Sequence, residues 1–438
     1  MSSAKGVRFM KRRIIAGVGA NSFGMAVTIV IQLVSLPLFL HYWDTSTYGV
    51  WLMLSAIPAY LSMADVGMVT AAGNKMNMAI GKGDAPEANR VFQSALMFMT
   101  MVCGTLALLS VPFILWVPLP VLQNFDQRVA LSALCVGVLL ALFGGLSEAV
   151  FKSTERYAMG TMLGNFVRLG EWVGFMVGLM TVGSFAAVAL GGLAVRLIGT
   201  LAVIALTSQG KHGIYWGARA AEIEEIRTMI KPAVSFMAFP LANAMSFQGL
   251  TLLVGALFGP IAVALFNTYR TIARVAVQVT AIFSHALWPE FSRLFGQGVS
   301  GVIDKLFRRT SLLGAVQALL LSLILYFISP WMLRVWTHNT IEFSPSLMFL
   351  MLLYAAVAGV WHIPRVLLMA TNQHVGLAYW SLLAGALSVG LAWILSDILH
   401  LNGVVVAMLV SELFIAIICT LLACSAIAEN SNGKINPQ

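Results

Sequence analysis

The stretch FNTYRTIARVAVQVTAIFSHALWP, residues 266–289, is apolar enough to cross a membrane yet carries Arg270 and Arg274. At the α-helical step of about 100° per residue, one stripe collects its polar side chains: Asn267, Arg270, Thr271, Arg274, Gln278 and His285. A charge near the centre of a bilayer costs roughly 3 kcal/mol. Two arginines on one face, with no acid within a turn, favour a water-filled cavity that receives an anion. Packing of the stripe against acids on other helices is the alternative.

The composition is that of a membrane protein. Of the 438 residues 59% are hydrophobic and only 10% are charged, whereas a soluble protein has about a quarter of its residues charged. Apolar runs of about 20 residues recur along the chain, and each is long enough to cross a bilayer as a helix. The sequence therefore predicts an all-α polytopic membrane protein. The net charge of +9 follows from basic loops on one side of the membrane and does not indicate nucleic-acid binding.

Metal, cofactor and catalytic motifs are not found in the sequence. Cys103, Cys135, Cys419 and Cys424 lie singly in apolar runs, and the seven histidines form no HExxH pattern. We interpret the cysteines as small buried side chains and the histidines as scattered polar positions. We therefore expect no metal site, no cofactor and no enzymatic activity.

The apolar runs predict about twelve spans in two sets of six. The first set is 14–40, 48–72, 91–116, 129–151, 158–181 and 184–206, and the second is 232–257, 260–288, 309–330, 344–370, 374–396 and 403–427. The charged, helix-prone stretch 208–231 divides the sets and predicts a cytoplasmic linker. Lobes at 1–207 and 232–438 follow. Lysine and arginine are concentrated in alternate loops, which predicts that both termini are cytoplasmic.

Charged residues inside spans mark candidate sites, because they are costly in lipid. Counted from a turn near Gly183, Arg168, Glu171 and Arg196 lie at similar depth. Glu171 is expected to bridge either arginine, which leaves an excess positive charge. The excess suits an anionic ligand, and a purely structural ion pair is the alternative. Asn21, Thr28, Gln32 and Ser35 form a polar face on the first span.

Two further acids and one arginine lie in other spans. Glu412 is mid-span in the twelfth helix, where it suits a proton or cation site or a partner for Arg270. Asp65, near the inner end of the second span, is an ion-coupling candidate or only a cap. Arg365, near the inner end of the tenth span, is expected to snorkel to the interface. Pro58 and Pro240 are expected to kink their helices.

The chain resembles a known family over essentially its whole length. The run 21–76 carries the pattern Asn21, Leu36-Pro37, Tyr48-Gly49-Val50-Trp51, Tyr60-Leu61 and Asp65-Val66-Gly67, and the eighth span carries Asn267, Arg270, Trp288 and Pro289. These residues resemble Wzx-type oligosaccharide flippases, polysaccharide transporters of the multidrug/oligosaccharidyl-lipid/polysaccharide exporter superfamily. The motifs are diffuse and hydrophobic, so they specify the superfamily better than the substrate.

The resemblance implies two six-helix bundles in a MATE-like arrangement and a location in the bacterial inner membrane. The implied substrate is an undecaprenyl-pyrophosphate-linked O-antigen or exopolysaccharide unit, moved by alternating access. The lipid bilayer, a polysaccharide polymerase and a chain-length regulator are the implied partners. Arginine suits the pyrophosphate because it contacts phosphate with several donors. The candidate contacts are Arg270, Arg274, Asn267, Gln278, Arg168, Arg196, Asn21 and Gln32, and the ion-coupling candidates are Glu412, Asp65 and Glu171.

Three other functions compete with this interpretation. A cation-coupled multidrug exporter of the same superfamily would be favoured by acids in the cavity. A membrane polysaccharide polymerase or ligase would be expected to have large outward loops, whereas the predicted outward loops are short. A structural or assembly role is the third.

Overall fold

The computed structural model describes residues 2–117, 122–209, 213–287, 291, 294–295, 300–371 and 373–431. Trp288 and Pro289, from the family pattern, lie outside the described residues, as does the side chain of His285. Every regular element in the described ranges is helical, and this confirms the predicted all-α class.

The chain divides into two compact units. Unit 1 comprises Met1–Asp44 and Leu54–Met237, and unit 2 comprises Thr45–Met53 and Ala238–Gln438. The predicted lobes at 1–207 and 232–438 stay a prediction.

Unit 1 is a bundle of helices joined by short turns. Its elements are α1 (Ser2–Tyr42), the end of α2 (Thr45–Ala56), α3 (Pro58–Leu61), α4 (Met68–Gly81), α5 (Ala85–Trp116), α6 (Phe125–Ser153), α7 (Tyr157–Thr181), α8 (Phe185–Ser208) and the start of α9 (Ile223–Ala244). Side-chain caps begin several of them: Asp84 accepts from the Glu87 amide and Asn124 accepts from the Gln127 amide. Such caps satisfy donors that a helix start leaves unpaired.

Unit 2 holds the remaining helices. They are the end of α9, a π-helical turn (Met245–Gly249), α10 (Leu250–Ala286), α11 (Ser300–Trp336), α12 (Pro345–Val360), α13 (His362–Ala370) and α14 (Val375–Ser431). The segment Thr45–Met53 of α2 packs in this unit. A Cβ atom at Gly49 would lie 1.8 Å from the Pro260 carbonyl oxygen, so only glycine permits this approach.

Eight helices among the described residues are long and apolar enough to cross a membrane. Two of these regions are far longer than one crossing needs, at 45 residues (Met237–Ala281) and 55 residues (Val375–Glu429). Each contains a residue with left-handed backbone, Gly259 at φ 79° and His400 at φ 50°. The breaks fall between spans predicted as separate, at 257/260 and 396/403, so each long element is two helices joined at a turn.

Two predicted spans are interrupted near prolines. The second span, 48–72, is α2, α3 and the start of α4, and Pro58 lies at the first position of α3. The tenth span, 344–370, is divided between α12 and α13 at Trp361. Pro364 explains the second break, because a proline ring clashes with the carbonyl four residues earlier, here that of Val360.

The connection from α8 to α9 differs from the helix-prone linker expected at 208–231. Helix α9 begins only at Ile223. Before Ile223 the chain is held on α5 by the side chain of Gln93. Its Nε2 donates to the Tyr215 carbonyl at 2.9 Å, and its Oε1 accepts from the backbone amide of Ala220 at 2.6 Å. Ser94 Oγ accepts from the Glu222 amide at 2.9 Å. The described part of this connection is therefore a strap fixed to unit 1.

Helices α7 and α8 form a tight hairpin. Cβ atoms added at Gly174 and Gly178 would lie 2.4 Å from the Gly191 carbonyl oxygen and 2.2 Å from that of Ala187. Small residues let membrane helices approach closely. The hairpin turns at Gly183, whose φ is 75°, so residues equally far from the turn meet across the two helices.

Candidate functional site

The polar face predicted on α1 is hydrogen-bonded to α7. Three pairs connect them: Tyr157 Oη donates to Asn21 Oδ1 at 3.0 Å, Arg168 Nη1 to Thr28 Oγ1 at 3.0 Å, and Trp172 Nε1 to Ser35 Oγ at 2.8 Å. Gln32 is half-buried on the same helix. Asn21 is therefore part of a polar seam within unit 1.

Arg168 is exposed although it lies in the middle of an apolar helix. It is eleven residues after Tyr157, about 16 Å along the helix, which is far from either end. Thr28 is its hydrogen-bond partner, and no carboxylate in the described part of the chain lies within salt-bridge distance of it. A charge held this way in a membrane span requires water or an anion at its exposed side.

Glu171 pairs with Arg196 across the α7–α8 hairpin, one of the two bridges the sequence left open. Their side chains are 16% and 18% exposed, and Arg196 Nη2 donates to Glu171 Oε2. Arg196 Nε is buried with no hydrogen-bond partner. Since Glu171 neutralises Arg196, the cluster of these two residues with Arg168 keeps one net positive charge.

Asp65 caps α4. Its carboxylate oxygens accept from the backbone amides of Gly67 and Val69, both at 3.2 Å. Both amides lie at the start of α4, where donors need acceptors and a negative charge is favoured. Asp65 therefore acts as a helix cap in this structure, which was the alternative to an ion-coupling role.

Arg270 lies in the interior of unit 2 with only 2% of its surface exposed. Its Nη1 donates to the Phe247 carbonyl at 2.8 Å, and its Nη2 donates to Thr251 Oγ1 at 2.7 Å and to Asn267 Oδ1. Its guanidinium carbon lies 3.6 Å from the centroid of the Phe247 ring. In this conformation the guanidinium therefore holds the π-helical turn to α10.

Arg274 shares the Phe247 ring, since its guanidinium carbon lies 4.7 Å from the ring centroid. It is half-buried, as are Gln278 and Asn267. Asn267 also donates from Nδ2 to the Val263 carbonyl at 2.9 Å. The predicted stripe thus places Arg270 and Arg274 on one aromatic ring, with Asn267 bonded to Arg270. Arg274 is the more accessible of the two arginines.

A cavity of about 260 Å³ lies within unit 2. Helices α9, α10, α12, α13 and α14 and the π-helical turn supply its lining, which includes Phe239, Asn243, Tyr354, Trp361, Arg365 and Glu412. Glu412 Oε1 accepts from Trp361 Nε1 at 2.8 Å, rather than from Arg270. Arg365 is in this lining instead of snorkelling to the interface, and its guanidinium carbon lies 5.7 Å from the centroid of the Trp361 ring.

Glu412 and Arg365 were each noted in the sequence, but their common cavity was not predicted. The helix break at Trp361 makes this possible, because α13 begins there and carries Arg365 in its first turn. Pro364 was the available signal for the break. The contact between Trp361 and Glu412 spans 51 positions and comes from tertiary packing.

The two units offer different chemistry. Unit 1 has an exposed arginine beside a neutralised pair, so it suits an anion. The unit 2 cavity has one guanidinium and one carboxylate among aromatic and hydroxyl side chains, so it suits a polar ligand of low net charge. In the part of the chain described, no group of His, Cys, Asp and Glu is arranged to hold a metal ion.

The fold is shared with solved membrane transporters at low sequence identity. An inward-facing multidrug resistance MATE family transporter of the MOP superfamily matches with a TM-score of 0.75 and 12% identity, over 96% of this chain and 100% of that chain. An outward-facing one matches with a TM-score of 0.68 and 13% identity, over 96% and 97%. A MOP superfamily transporter from Pyrococcus furiosus, for which reverse polarity of the binding pocket suggests a different function, matches with 0.68 and 13%, over 96% of each chain.

No model of a protein family matches the sequence, and no curated protein does. At identities of 12–13%, the likeness concerns the fold and leaves the transported substrate open. This chain is a polytopic, all-α membrane protein with the two-lobe fold of the MATE transporters, as its sequence predicted.

Proposed function

We propose that this protein is a flippase that moves an undecaprenyl-pyrophosphate-linked oligosaccharide across the bacterial inner membrane by alternating access, with both termini in the cytoplasm. The shared transporter fold supports a transport function, and the resemblance of the sequence to oligosaccharide flippases supports the substrate class. No catalytic step is part of this proposal.

The exposed guanidinium of Arg168 is the observation that carries the proposal. Leaving a charge uncovered in the middle of a membrane helix costs roughly 3 kcal/mol or more in lipid, so its exposed side is expected to face water. Arg196 is neutralised by Glu171, and the charge of Arg168 is therefore available to an incoming pyrophosphate. A charged hydrogen bond of this kind contributes roughly 1.5–3 kcal/mol.

Arg274 is the corresponding candidate in unit 2. Each terminal nitrogen of Arg270 donates to an oxygen acceptor, while its Nε is buried with no hydrogen-bond partner in the described part of the chain. In this conformation Arg270 positions Phe247, whose ring also lies against the Arg274 guanidinium. Direct contact between Arg270 and pyrophosphate would require that these bonds open during transport. Asn21, Gln32 and Gln278 are proposed as polar lining, and Glu412 and Glu171 as ion-coupling candidates.

Complementation tests the proposal. In a bacterium that lacks its own flippase, the wild-type chain should restore surface polysaccharide and lower the lipid-linked intermediate. Arg168→Ala should lose this activity while inserting normally, and Arg168→Lys should keep part of it because the charge survives without the forked geometry. Arg227→Ala is the matched control, since Arg227 is an arginine 77% exposed in a surface pair. An active, well-expressed Arg168→Ala protein would contradict this assignment.

Export of cationic drugs is a second candidate, favoured by one observation. Glu412 and Tyr354 line the same cavity, where a carboxylate and aromatic side chains would attract an organic cation against the opposing charge of Arg365. Expression in a drug-sensitive strain should then raise resistance to lipophilic cations, and Glu412→Gln should abolish the resistance. Unchanged susceptibility with restored polysaccharide would favour the flippase.

A further inference from the structure

We propose that the unit 2 cavity binds an uncharged sugar ring and is the glycan subsite of the proposed flippase. This inference rests on the function proposed above and adds to it the chemical class of the ligand portion. The lining around Glu412, Arg365, Tyr354 and Trp361 carries the argument.

Among the side chains that line the cavity, one positive charge and one negative charge oppose each other. Arg365 supplies the positive charge and Glu412 supplies the negative charge. The carboxylate would repel a pyrophosphate, and the guanidinium would repel a cation. A neutral ligand is repelled by neither group.

The cavity offers more hydrogen-bonding capacity than its own side chains use. Glu412 has one donor, Trp361 Nε1, although a carboxylate has about four acceptor sites. In the described ranges, the Arg365 guanidinium, the Tyr354 hydroxyl and the Ser388 hydroxyl have no hydrogen-bond partner, and all three residues line the cavity. Polar groups at such depth need partners from water or a ligand. A ring of hydroxyl groups, which both donate and accept, can meet a carboxylate and a guanidinium at once.

Aromatic side chains supply the apolar part of the site. Phe239, Tyr354 and Trp361 all contribute to the lining, and the indole of Trp361 is fixed by its bond to Glu412. Sugar rings present C–H faces between their hydroxyl groups, and aromatic rings offer rigid faces of this kind at low entropic cost. The mixture of flat apolar faces and planar polar groups is therefore suited to a sugar.

The cavity has a volume of about 260 Å³, which leaves room for a sugar ring. Because the cavity is open on one side, the remaining sugars and the lipid of the proposed substrate can extend beyond it.

Binding of soluble sugars tests the inference without transport. The full chain in nanodiscs would be screened by saturation-transfer NMR against methyl glycosides of a hexose, a 6-deoxyhexose, an N-acetylhexosamine and a uronic acid. We expect a neutral glycoside to bind, and Glu412→Gln to weaken it about tenfold or more, because a charged acceptor is lost. Glu429→Gln, on the exposed end of the same helix, should bind as the wild type does.

The remaining outcomes separate this inference from the proposed function. Binding by the uronic acid alone, by a lipophilic cation alone, or by no glycoside would overturn the sugar assignment. Equal binding by the wild type and by Glu412→Gln would show that the sugar does not bind in this cavity. If the wild type binds a neutral glycoside at the cavity but never complements a flippase-deficient strain, the flippase proposal fails while the sugar site stands.

Discussion

Removal of the Glu171 carboxylate is the perturbation whose cost the structure defines best. Arg196 would then keep its charge at 18% exposure, with a buried Nε that already lacks a partner. Arg168 lies three residues before Glu171 on the same face of α7. Glu171→Gln therefore leaves two positive charges near one another, with no carboxylate between them.

The expected magnitude lies between two limits. Exposed ion pairs contribute about 0–1 kcal/mol, and breaking a fully buried pair costs about 3–5 kcal/mol. With side chains 16% and 18% exposed, the pair lies between these limits, and we expect a coupling free energy of about 2 kcal/mol. Salt should change this value little, because screening acts mainly on exposed charges.

A double-mutant cycle measures the coupling. Free energies of unfolding would be obtained in mixed micelles for the wild type, Glu171→Gln, Arg196→Gln and the double variant. Each single variant should be less stable than the double variant, since only the single variants leave a buried charge unpaired. The exposed pair Arg227 and Glu224, at 77% and 71% exposure, is the control and should give about 0.5 kcal/mol or less. A coupling of Glu171 and Arg196 as small as that of the control would refute the reasoning.

Two further predictions concern helix packing and the buried arginine. Gly178→Ala should lower the free energy of unfolding by about 1–3 kcal/mol through overpacking, because the added Cβ would lie 2.2 Å from the Ala187 carbonyl oxygen. Gly104→Ala is the control: its Cβ would have no neighbour within 4 Å, so this variant should be neutral or stabilising in a thermal unfolding assay. Arg270→Ala should cost about 3 kcal/mol, since it removes charged hydrogen bonds of roughly 1.5–3 kcal/mol each and is partly offset by the lost cost of burying the charge. Arg270→Lys should recover less than half of that stability, because an ammonium group lacks the planar fork of a guanidinium. Wild-type stability in the Arg270→Ala variant would contradict the role of Arg270 at the π-helical turn.

Much of the fold follows from local rules that act along the sequence. Apolar runs of span length predict the long helices, and the breaks at Gly259 and His400 fall where separate spans were expected. The pairing of Glu171 with Arg196 was also within reach, because a hairpin places residues equally far from its turn at the same depth. These features depend on near neighbours or on a single turn.

The environment of Arg270 lay beyond the sequence for a physical reason. Its stripe was evident from helical periodicity, but periodicity does not say whether a polar stripe faces water or another helix. A π-helical turn changes the register of the helix before α10, and this brings the Phe247 carbonyl within 2.8 Å of Arg270 Nη1. The acceptors are thus the Phe247 carbonyl, the Thr251 hydroxyl and the Asn267 side-chain amide oxygen. The sequence had suggested water in an open cavity or acids on other helices instead.

In this chain the accessibility of a guanidinium and the bonds that it already makes distinguish a candidate ligand contact from a structural arginine. Arg196 has a carboxylate and Arg270 has three oxygen acceptors, so each would give up existing bonds before it could hold a phosphate. Arg168 would give up at most the single bond to Thr28. Because only a bond formed in excess of those broken adds to affinity, we expect a negatively charged substrate to gain more at Arg168 than at Arg196 or Arg270.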